Sequence, residues 1–189
     1  SGHDRIGAAA DGLEMSNIHR LLSSHADRRG LSETASRRMI AITSTRSQCG
    51  RAAMGGYDTM YEQETDGVKI CVSPDYLEDE SEPDENRYVW AYTVEIENTS
   101  AQPVQLISRQ WVITDSMGRS EHVQGPGVVG EQPVIRPGER FRYTSGAPLS
   151  TPSGFMSGSY EMRREGGDSF AAIIPDFPLD RPYDRLSLH

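Results

Sequence analysis

Cysteine is nearly missing from this chain of 189 residues, which carries two. Cys49 stands alone in a polar segment, and Cys71 lies within Val68-Lys69-Ile70-Cys71-Val72, the setting of a buried structural thiol. Without paired cysteines or a C-x-x-C spacing, neither a disulfide scaffold nor a zinc knuckle is indicated, and a reducing compartment such as the cytoplasm fits. No apolar run approaches the ~20 residues that a membrane-spanning helix needs, so the chain is not expected to be integral to a membrane.

Histidine is equally thin. From Met60 onward there is only His122 besides the terminal His189. His122 with Glu121 and Asp115 offers a weak oxygen-and-imidazole set, but adjacent residues of a strand point to opposite faces, so no metal site is expected there. Ser-x-x-Lys, Gly-x-Ser-x-Gly and His-Glu-x-x-His are all missing, and His122 has no nucleophile beside it. The expectation is a protein without catalytic residues or cofactor, and not an enzyme.

An excess of positive charge is also lacking where the fold signal is strongest. Residues 1–59 carry eight Arg against six acids, whereas residues 60–189 carry eleven Lys or Arg against twenty-two acids, a balance of −11. An acidic body repels phosphate backbones, so nucleic acid is not an expected partner. The loop from Glu78 to Glu85 attracts divalent cations such as Mg²⁺ or Co²⁺ at most weakly, because it lacks the alternating ligands of a calcium loop.

Residues 1–59 read as an extension, disordered or partly helical. Ser1-Gly2-His3 has the look of a scar from a cleaved tag. Leu13, Ile18, Leu21 and Leu22 line one face of a short helix, and Gly50, Gly55 and Gly56 read as linker before a body that starts at Met60. The Arg- and Ser-rich composition also resembles a mitochondrial presequence, which leaves import as an alternative to the cytoplasm.

From Gly67 the pattern turns to period two. Val68–Leu77 reads as a strand interrupted at Ser73-Pro74. Arg87–Glu97 places Tyr88, Trp90, Tyr92, Val94 and Ile96 on one face. Val104–Thr114 follows, with Ile107, Trp111 and Ile113 of one parity, and Asp115-Ser116-Met117-Gly118 is a hairpin turn. Ser120–Gln124, Arg140–Thr144, Phe155–Arg163 and Ser169–Ile174 complete the set, and Pro175, Pro178 and Pro182 predict a frayed tail. About seven short strands with regular turn signals and no helical period predict an all-β, antiparallel sandwich of the immunoglobulin or fibronectin type III kind over residues 60–189.

Between the strands lies Gly125-Pro126-Gly127-Val128-Val129-Gly130-Glu131-Gln132-Pro133, with G-x-G-x-x-G spacing. A dinucleotide fingerprint requires a helix after it, and Pro133 and Pro137 forbid one. The glycines are expected to shape a loop that crosses the sandwich, with Val128 and Val129 plugged into the core edge. The other use is a binding loop of Gly125, Gly127, Gly130 and Glu131. Arg109 and Trp111 share a strand face. They would present a flat charged contact, or Trp111 is buried while Arg109 reaches to the edge.

The order of motifs resembles the ApaG domain family. The resemblance rests on the glycine stretch, on Ser108-Arg109-Gln110-Trp111-Val112-Ile113-Thr114-Asp115 before it, and on Pro137-Gly138-Glu139, Tyr143-Thr144-Ser145-Gly146, Gly158-Ser159-Tyr160 and Ile174-Pro175 after it. It implies a fibronectin-type sandwich in a small bacterial protein linked to cobalt resistance and magnesium efflux. Similar domains sit in eukaryotic proteins that recruit partners, among them an F-box subunit and a polymerase-delta-interacting protein. The resemblance thus points to a module for an unidentified protein partner, and the alternative is a module that binds pyrophosphate or a nucleotide.

Overall fold

Strand-forming patterns dominate from Tyr61 to Asp180, and the computed structural model, which describes residues 60–182, pairs all of them antiparallel. The first hairpin joins β1 (Tyr61–Thr65) to β2 (Val68–Tyr76) through Asp66-Gly67. Both turn residues have positive φ, as a two-residue turn matched to strand twist requires. Two 3₁₀ turns, Glu78–Glu80 and Pro83–Glu85, hold the acidic loop. Then come β3 (Tyr88–Asn98), β4 (Val104–Asp115), β5 (Ser120–Pro126), β6 (Val134–Ile135), β7 (Arg140–Leu149), β8 (Ser153–Arg164) and β9 (Ser169–Asp180).

One sheet has the order β1-β2-β3-β7 and the other β5-β4-β8-β9, with β6 also on β4. The inward face of β3 carries Tyr88, Trp90, Tyr92, Val94 and Ile96, as the alternation predicts, and all five are buried. Across the sandwich they meet Leu106, Trp111, Met156, Tyr160, Met162, Ile174, Phe177 and Leu179 in one core cluster. The all-β sandwich is therefore as read from sequence, with nine strands rather than about seven.

The differences have local causes. β2 runs unbroken through Pro74, β1 carries too few apolar residues to show a period, and β6 with two residues is too short to show one. β7 continues five residues beyond Thr144, through Gly146 and Pro148. The segment expected to fray continues as strand to Asp180, because Pro175 falls in a bulge where the register slips between Met156 and Gly158 of β8. A residue without an N–H is tolerated at such a position on an edge strand. The bulge also reverses the alternation, turning Phe177 and Leu179 into the core after Ala172 and Ile174. Residues 1–59 and 183–189, with the extension, the short helix expected there and Cys49, lie outside the described residues.

The two outer faces differ in charge. On the β1-β2-β3-β7 sheet the outward positions include Glu62, Glu64, Lys69, Asp75, Glu95, Glu97, Arg140 and Arg142. On the other sheet the outward rows run Ser120-Thr114-Phe155-Pro178, His122-Val112-Ser157, Gln124-Gln110-Ser159-Ile173, Pro126-Ser108-Glu161-Ala171 and Val134-Gln105-Arg163-Ser169. Glu161 and Arg163 alone are charged among these, and the exposed Asp176 lies in the β9 bulge opposite Ser157.

Candidate functional site

The glycine stretch does not cross the sandwich. β5 and β6 pair with the same strand, β4, on the same side, so Gly127–Pro133 is an excursion in one interrupted edge strand. Opposite it β4 carries its own bulge, where the register slips between Leu106 and Ser108. That bulge also overturns the expected parity: Val104 and Leu106 face the core before it and Trp111 after it, while Ile107 leaves the inward row. The Ile107 carbonyl freed by the slip accepts the Gly127 N–H at 2.8 Å and the Gln132 Nε2 at 2.6 Å.

Within the excursion, Val128 and Glu131 exchange two 2.8 Å backbone hydrogen bonds around a tip of Val129 and Gly130. Both tip residues have positive φ, 44° and 82°. Glycine reaches that region freely, whereas a β-branched residue such as valine enters it only under strain. Gly127 also has a positive φ of 57°, and a β-carbon there would overlap the Glu131 carbonyl oxygen. Val128 is fully buried and Val129 packs partly buried on the core, as the sequence reading expects. Gly130 and Glu131 are exposed.

Arg109 holds this hairpin from below. Its Nη1 donates to the carbonyls of Pro126 at 3.2 Å and Gly127 at 3.0 Å. The guanidinium lies flat against Gly125, where a β-carbon would stand 3.1–3.3 Å from its atoms. Trp111, two residues along, is 3 % exposed and makes edge contacts with Tyr92, Tyr160 and Phe177. The idea of Arg109 and Trp111 presenting a flat charged surface is thereby corrected: the indole is enclosed between the sheets and the guanidinium is spent on the loop. Of the candidate residues, the structure brings Gly125, Gly127 and Arg109 into one contact, leaves Gly130 and Glu131 at the tip, and places Trp111 in the core.

A polar cluster that the alternation alone did not single out lies beneath the clamp. The hydroxyls of Tyr143 and Tyr160 hydrogen-bond each other, and the buried Tyr92 pairs across the sheet with the buried Ser145. Burial pushes all three phenols above their ordinary range, while the nearby Arg109 charge pulls the other way. The signal available was the inward parity of Tyr143 and Tyr92, since a buried hydroxyl needs a partner.

The arrangement can present a rigid tip, and it offers little to an anion. The amides of Gly127, Val128 and Glu131 are all engaged inside the protein. Asp115, Glu121 and His122 do not converge: Asp115 is bound by Arg119 at 2.7 Å, and Glu121 and His122 pair with Ile113 and Val112 on opposite faces. Among the described residues no group of three or more His, Cys, Asp or Glu is placed to hold a metal ion. No helix among them is long and apolar enough to cross a membrane.

A family model described as the ApaG domain matches residues 78–164. Protein ApaG of Maricaulis maris is 77% identical over 130 residues, 69% of this chain and 100% of that protein. Protein ApaG of Paramagnetospirillum magneticum is 53% identical over 130 residues with the same coverage. A crystal structure of the putative ApaA protein from Bordetella pertussis superposes with a TM-score of 0.60 at 47% identity, over 61% of this chain and 94% of that one. Similarity of this strength, over the whole length of the Maricaulis protein, means that the chain belongs to the ApaG domain family.

Proposed function

We propose that the chain is a non-enzymatic binding module whose Val128–Glu131 hairpin tip docks on a protein partner. The observation that carries this reading is Val129, a β-branched residue kept at φ 44° in a partly exposed tip. Strained backbone persists only where the surroundings over-determine it, and it concentrates at functional sites. Here Gly127, Gln132 and Arg109 supply that over-determination. A preorganised tip binds without an ordering cost, which favours affinity.

The partner acts in divalent-cation homeostasis, a role that the family resemblance supports and that requires no metal on this chain. The reading as a pyrophosphate or nucleotide cradle has less support, because the Gly127, Val128 and Glu131 amides are committed internally and Arg109 already donates to two carbonyls.

The test pairs partner capture with calorimetry on the full chain. Glu131→Lys changes an exposed tip side chain outside the clamp, so it should abolish recovery of the partner while the melting curve stays unchanged. Calorimetry with pyrophosphate, Mg²⁺ or Co²⁺ should show no saturable heat. Saturable micromolar heat with pyrophosphate would overturn the reading.

A further inference from the structure

We propose that the outer face of the β5-β4-β8-β9 sheet is an interface with a second copy of this chain, formed face to face about a two-fold axis through the Val112-Ser157 row. This surface is separate from the hairpin tip and does not depend on the tip's function.

Charge is the first argument. Residues 60–189 carry a balance of −11, so two copies repel at most orientations. The opposite sheet is crowded with charge of both signs, Glu62, Glu64, Asp75, Glu95 and Glu97 against Lys69, Arg140 and Arg142, much of it already ion-paired within the face. On the face in question the rows carry mostly serine, glutamine, threonine and valine, and only Glu161, Arg163 and the Asp176 of the β9 bulge are charged, so a like-charged copy meets fewer charges there than on the other sheet. Depletion of charge is the compositional mark of an interface core.

Apolar exposure is the second. Of the large hydrophobic side chains exposed among the described residues, Val134 (54%), Phe155 (46%) and Ile173 (45%) all stand on this face. The same face holds a shallow depression of about 310 Å³ lined by Gln110, Ser159, Glu161, Ser169, Phe170 and Ala171. Phe155 lies one row to one side of Val112-Ser157, and Gln110-Ser159-Ile173 one row to the other. Rotation about an axis along the middle row therefore sets each Phe155 over the partner copy's Ser159-Ile173 row, at the depression. The contact is isologous and closes as a dimer.

Size is the third. Four strands about 4.8 Å apart, crossed by rows about 6.7 Å apart, give a face on the order of 600 Å² per copy. That is the low end of specific interfaces, which begin near a total of about 1,200 Å². The dimer is accordingly concentration-dependent.

Sedimentation velocity on the full chain over a wide concentration range tests the proposal. The wild type should pass from monomer to dimer, and Phe155→Glu or Ile173→Lys should each weaken association by about tenfold or more with unchanged thermal melting. Mixing the two variants should restore a heterodimer, because the carboxylate introduced in one then faces the ammonium introduced in the other. A chain that stays monomeric throughout overturns the proposal. So does a dimer that neither substitution weakens, or two weakened variants that fail to recover when mixed.

Discussion

Arg109 and Gly127, eighteen residues apart, are joined by a 3.0 Å hydrogen bond from the guanidinium Nη1 to the glycine carbonyl. The same nitrogen reaches the Pro126 carbonyl at 3.2 Å, so one side chain of β4 fixes the base of the hairpin that interrupts the edge strand.

Arg109→Ala should therefore cost about 2 kcal/mol, the loss expected when carbonyls lose a charged donor. Arg109→Lys should recover only part of this, since an ammonium cannot lie flat in the space that Gly125 leaves. Urea unfolding of the three proteins measures the difference.

Gly127 at the base of the hairpin and Gly130 at its tip should respond unequally to alanine. Gly127→Ala meets both a positive φ and the Glu131 carbonyl, and should destabilise by about 3 kcal/mol or more. At Gly130 the same β-carbon would enter open space, so only the backbone term applies, about 1 kcal/mol. Denaturation midpoints should rank wild type, then Gly130→Ala, then Gly127→Ala.

Alkaline pH should unfold the protein through its buried phenols. Burial raises the Tyr92, Tyr143 and Tyr160 ionisations above the unfolded value near 10. A raised pKa in the fold contributes stability that is complete below about pH 10 and is lost as pH climbs beyond it. Melting temperature should fall steeply there, together with the appearance of tyrosinate absorbance. The Tyr143→Phe/Tyr160→Phe double variant, which removes both partners of one hydrogen bond, should melt near wild type at neutral pH and show a weaker alkaline fall.

Acid pH acts through Asp115. Desolvation opposes its ionisation, but the Arg119 amide and guanidinium and the Met117 amide outweigh that and hold the carboxyl below its ordinary value. A depressed pKa gives stability that is present above about pH 4 and lost as pH falls through the folded value. Asp115→Asn should melt lower at neutral pH and converge on the wild type in acid, as calorimetric scans would show.

Much of the sandwich was legible because Tyr88 to Ile96 alternate without interruption, and alternation reports one buried face directly. β1 escaped notice since Tyr61 to Thr65 holds one large apolar residue, although Asp66-Gly67 was a hairpin signal in plain view. The Ile107 parity failed because a bulge is set by pairing with a distant strand, and nothing in Val104–Asp115 marks where the slip occurs.

The order of residues was enough to establish the two-residue period, the turn chemistry, the exclusion of a helix after Gly130 and the family motif. These are local properties of side-chain pattern and of proline and glycine backbones. The folded chain was needed to show that β5 and β6 share one partner, that Trp111 is enclosed, and that Arg109 grips the glycine hairpin. Each of those depends on strand order and register, which are fixed by contacts between residues far apart in the chain and are not encoded within any single strand.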